Sequence, residues 1–206
     1  MRFCDLYVLR HVCHHIQKRA NQETDLNIRF LMTISPKSLQ SPDFITLLCT
    51  TLHEFHVSPF MIRFLFNEED VLNEEGQIKE EIQTLIHLGF TIWLKTVTLR
   101  GLKAKLLEQD GICGVILDRD LLDLSVKSIL IEAQSRIQIN HEASCQTFAL
   151  GIDTKEQYDY FKAAGVERMA GSYFMDPKSY EICINDLERK GFLLEDIRHT
   201  QYFNEA

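Results

Sequence analysis

Apolar residues follow two rhythms along this chain. Between residues 5 and 19 they recur at helical spacing, with Leu6, Leu9, Val12, Cys13 and Ile16 on one stripe. Elsewhere they bunch into short runs at 28–34, 61–66, 90–94, 113–117, 147–150 and 166–169. Runs of this kind suit parallel strands buried on both faces. Amphipathic segments separate them. Ser41-Pro42-Asp43 opens a helix with Phe44, Leu47, Leu48 and Leu52 as its core stripe, Ser41 as N-cap and Pro42 in the first helical position. A second carries Ile78, Ile82, Leu85 and Ile86 and stops at Gly89. Further helices are predicted at 99–107, through Leu122, Val126, Ile129 and Leu130, from Asp153-Thr154 through Tyr158 and Phe161 to Gly165, and at 177–190. Residues 191–206 are read as a C-terminal tail, with no element predicted in it.

The sustained alternation predicts a parallel β/α fold, in which chemistry sits at the C-terminal ends of strands. Those ends are read at Thr33, Leu65, Lys95, Asp118, Leu150 and Ala170. Only one is a carboxylate. No GxGxxG or GxxxxGK[ST] follows any strand, so the nucleotide-binding loops of the common α/β folds are absent.

Composition narrows the partners. The chain has 206 residues, 45% of them apolar, enough for one domain with a sizeable core. A formal charge of -8 opposes non-specific nucleic-acid binding and anionic membrane surfaces alike. Six cysteines form no CxxC pair, and Cys113 and Cys145 read as buried thiols, which fits a reducing cytoplasm. No signal-peptide core and no membrane-length apolar run is present. His11 and His15 are four apart on the polar side of the first helix and could share a metal. No HExxH glutamate accompanies them, so the pattern reads as an exposed polar face.

Several segments resemble, in order, the EAL domain family of bacterial cyclic-di-GMP phosphodiesterases. Thr33-Ile34-Ser35 followed by Leu39-Gln40-Ser41-Pro42-Asp43-Phe44 is similar to the family's NLS...LQDPDF. Phe66-Asn67-Glu68 stands where the family has ITE, and Leu117-Asp118-Arg119 resembles part of KIDR. Gly151-Ile152-Asp153-Thr154-Lys155-Glu156-Gln157 is similar to GVETEEQ, and Gly165, Gly171, Phe174 and Pro177 fit the closing LGCDYVQGYLFGRP stretch. The resemblance runs from about Asp5 to Pro177. It implies a modified β/α barrel of which about six strands are present, as a single domain over residues 1–206. The family's first strands, including the one bearing the EAL glutamate, would precede this chain.

The resemblance also says which chemistry to look for. The family hydrolyses a phosphodiester with two divalent cations, which need oxygen ligands, chiefly carboxylates. Its ligand asparagine corresponds to Thr33, a ligand glutamate to Leu65, and the paired aspartates of DDFGTG to Lys95 and Thr96. The KID lysine corresponds to Ile116, the AEGVE glutamate to Leu150 and the QGY glutamine to Ala170. Glu68, Asp118 and the shortened acid Asp153 remain. The expectation is therefore a metal-free, catalytically inactive domain, with Lys95 as the counter-charge of Asp118 or Glu68. It would act through a protein partner or self-association. Two alternatives stand beside this. One is a non-hydrolysing cyclic-di-GMP receptor using Arg63, Arg100, Lys103 or Tyr173, which the negative charge opposes. The other is unrelated acid–base chemistry at Asp118 or Glu68.

Overall fold

A computed structural model describes residues 2–20, 29–73, 77–96, 111–176, 179 and 182. The predicted helix at 99–107 and the tail lie outside these residues, as do Arg100, Lys103 and Cys183. So does the predicted helix at 177–190, apart from Ser179 and Ile182. Two compact units divide the chain. One holds residues up to Lys95 with the beginning of the fourth strand; the other holds Thr96 and the remainder. Among the described residues there are six strands, with helices between most of them.

The first unit begins with α1 (Arg2–Ala20). Its stripe buries Leu9, Cys13 and Ile16. It packs on α3 (Phe44–Glu54), which buries Phe44, Leu48, Thr51 and Leu52. Arg10 donates two hydrogen bonds across this seam to Glu54, at 2.7 and 2.6 Å. Three parallel strands follow in chain order: β1 (Phe30–Thr33), β2 (Ile62–Asn67) and β3 (Thr91–Thr96). β2 and β3 each bury four of their six residues, and Phe64 meets the ring of Phe90 at 4.7 Å. Each fully buried Phe or Leu contributes about 1.5–3 kcal/mol. Between the strands stand α2 (Pro36–Leu39), α4 (Glu68–Asn73) and α5 (Gln77–His87).

Two local expectations need correcting. Ser41 is not the N-cap of α3; Asp43 holds that position. Ser41 instead closes its own turn, its carbonyl accepting from the Phe44 amide at 2.9 Å. The reason is α2, a single turn started by Pro36, too short to show periodicity. Cys113 is half-buried rather than buried, whereas Cys145 is buried as expected.

The second unit carries β4 (Ile112–Leu117), whose first two residues belong to the first unit, then β5 (Gln146–Leu150) and β6 (Arg168–Ala170), again parallel and in chain order. The long helix expected after β4 starts later than read. Leu121 and Leu122 belong to a short 3-10 turn and its exit, and α6 spans Lys127–Glu142. Its buried side chains are Ala133, Arg136, Ile137 and Asn140, not Ile129 and Leu130. Asn140 donates to the Thr147 hydroxyl at 3.0 Å, and the Cys145 amide donates to the Asn140 carbonyl at 2.8 Å. α7 (Lys155–Ala163) begins with Thr154 as expected, in a full capping box with Gln157. Gln157 also donates to the Leu122 carbonyl at 3.1 Å, tying the 3-10 turn to the helix. Leu117, Leu121, Leu122, Ala149, Phe161 and Met169 share one apolar core. Among the described residues no helix is long and apolar enough to cross a membrane.

Candidate functional site

Strand register decides which strand-end side chains share a surface. In the first unit Thr33 lies opposite Leu65, Leu65 opposite Trp93, and Asn67 opposite Lys95. Side chains alternate along a strand, so Thr33, Leu65, Trp93 and Lys95 occupy one face and Thr96 the other. Thr33 is exposed, Leu65 and Trp93 are buried, and Lys95 is half-buried. Thr96 is buried. In the second unit Ile116 lies opposite Phe148, Phe148 opposite Arg168, and Leu150 opposite Ala170. Ile116, Leu150 and Ala170 therefore share a face as well. Leu150 is 37% exposed at its strand end, although it is a large apolar side chain.

The observed ends shift slightly from the reading. β2 runs on to Asn67, β3 to Thr96, and β4 stops at Leu117, one residue before Asp118. Parallel pairing extends past the apolar run wherever a polar residue such as Asn67 still has a backbone partner.

The donor set on these faces does not suit a divalent cation. Leucine, isoleucine and alanine offer no oxygen, Thr33 offers one neutral hydroxyl, and an ammonium repels a cation. Among the described residues no group of three or more His, Cys, Asp or Glu side chains is arranged to hold a metal ion.

The three remaining acids differ in setting. Glu68 is buried as the first residue of α4. Asp118 is half-buried; its amide donates to the Thr96 carbonyl at 3.2 Å and its carbonyl accepts from Leu121 at 2.9 Å. Asp153 is engaged structurally. Its carboxylate accepts from the Ser172 hydroxyl at 2.7 Å and the Ser172 amide at 3.4 Å, and pairs with Arg119 at 3.0 Å. The Ser172 hydroxyl, foremost, holds the Asp153 carboxyl below its ordinary value, with the Ser172 amide and Arg119 adding to the effect against partial desolvation. Asp153 thus pins the turn after β6 to the end of β5.

That turn is also fixed sterically. A Cβ at Gly171 would press on the backbone N, C and O of Ile152, the carbonyl carbon at 2.6 Å. The Tyr173 amide donates to the Ile152 carbonyl at 3.1 Å. Tyr173 then stacks on Tyr158 at 5.4 Å, and Phe174 meets both rings edge-on, at 5.7 Å from Tyr158 and 5.2 Å from Tyr173. Of the nominal phosphate contacts, Tyr173 is committed to this stack and Arg63 lies over the Trp93 ring at 5.3 Å. Sequence reasoning missed Arg119 and Ser172 as partners of Asp153. Arg119 stood within the KIDR-like segment and so had a signal; Ser172 had none.

Comparison with known proteins fits this geometry. The EAL domain family model matches residues 2–177. No curated protein matches the sequence. Among solved structures, the chain is similar to the PaMucR phosphodiesterase in its c-di-GMP complex, with a TM-score of 0.79 and 13% identity over 87% of this chain and 73% of that one. The EAL domain of Mycobacterium smegmatis DcpA gives a TM-score of 0.78 at 18% identity, covering 89% of this chain and 83% of that one. The Xanthomonas citri FimX EAL domain, solved with c-diGMP, gives 0.71 at 17% identity, over 84% and 68%. The six parallel strands and their helices form an incomplete β/α barrel of this type. The chain belongs to the EAL domain family.

Proposed function

We propose that this domain does not hydrolyse cyclic-di-GMP and acts as a protein-interaction or regulatory module of cytoplasmic cyclic-di-GMP signalling. The observation that carries the reading is the shared faces: Thr33, Leu65 and Lys95 on one, Ile116, Leu150 and Ala170 on the other. These are the positions that correspond to the family's metal ligands and active-site polar groups. Two-metal hydrolysis draws several kcal/mol from clamping the attacking and leaving oxygens. Four of these side chains provide no donor and Lys95 has the wrong charge for holding the cations. Lys95 would instead supply the positive charge locally, against Glu68 of the same unit. Asp153, tied to Ser172 and Arg119, is occupied as a brace rather than poised as an acid.

A non-hydrolysing receptor is the second reading. It is favoured by the fold relatives PaMucR and FimX, which were solved with c-di-GMP. Calorimetric titration with cyclic-di-GMP, with and without Mg²⁺ or Mn²⁺, together with a product assay separates the two. The regulatory reading expects neither heat nor product. Micromolar binding without turnover transfers the assignment to the receptor, and turnover with either metal overturns both.

A further inference from the structure

We draw no further inference here: the strongest candidate, the outer edge of β1 in the first unit, where Leu31 and Thr33 stand exposed at one end of the strand order, carries nothing, because nothing in the structure shows what covers it.

Discussion

Replacing Gly171 by alanine tests whether the turn after β6 is held as tightly as its contacts imply. The added methyl would meet the Ile152 backbone rather than a side chain that could rotate aside. Overpacking of this kind costs about 1–3 kcal/mol. Relief requires the turn to lift, which also gives up the Tyr173–Ile152 hydrogen bond, worth about 1 kcal/mol net. The sum is about 3 kcal/mol. For a chain of this length each kcal/mol moves Tm by roughly 2–4 °C, so a fall of about 6–12 °C is expected. Gly165→Ala is the control. A methyl there meets nothing within 4 Å and pays only for its backbone angle of +90°, about 1–2 kcal/mol. Thermal melts by far-UV circular dichroism measure both. Carboxyl NMR gives an independent readout, because a lifted turn withdraws Ser172 from Asp153 and lets the Asp153 pKa return upward. A Gly171→Ala protein that melts no lower than Gly165→Ala, with Asp153 still titrating low, would refute the account of this turn.

Three further outcomes are expected. The folded Asp153 pKa lies below its unfolded value, so its stabilisation is present above about pH 4 and is lost as pH falls through the folded value. Ser172→Ala should raise that pKa and leave the wild-type and variant melting curves converging in acid; an unshifted carboxyl titration would refute the link. Burial pushes the Cys13 thiol from an ordinary 9.0 up to about 11, so its contribution is intact below pH 9 and lost as pH rises through 11. At pH 8 a thiol reagent should modify exposed Cys4 promptly and Cys13 only on unfolding, and equal rates at the two would contradict the packing of α1. If Lys95 supplies the counter-charge at the strand ends, a double-mutant cycle of Lys95→Met with Glu68→Gln should show coupling of at least about 0.5 kcal/mol, and coupling below that removes the proposal.

The strands were legible because a parallel strand covered on both faces must be written in apolar residues, as Phe64 and Phe66 in β2 show. The amphipathic stripe of α1 was legible for the corresponding reason. α6 was misread because its buried face includes Arg136 and Asn140, polar types that a hydrophobic pattern assigns to solvent. Leu122 meanwhile looked like the first residue of that stripe while belonging to the approach to it. At the candidate site, the identities at the strand ends could be read directly. Which of them share a face could not, because a one-residue change of register reverses every assignment. The brace around Asp153 was hidden by distance along the chain, with Arg119 34 residues before it and Ser172 19 residues after it.

The buried hydrogen bond from Asn140 to Thr147 has a consequence for how freely this surface can vary. Along β5, Thr147 and Ala149 lean one way and Phe148 and Leu150 the other, and both sides carry apolar residues. A slip by one residue would keep the strand greasy while exchanging the contents of its two sides. An amide that reaches a hydroxyl at a single position recognises the slip, since the displaced pairing would leave a polar group buried without its partner, at a cost of about 1–3 kcal/mol. The address of β5 is therefore written near its start, where Thr147 meets Asn140 of α6, while the character of its far end at Leu150 is left open to change. A fold indexed in this way can exchange what its strand ends display without losing the place from which they display it.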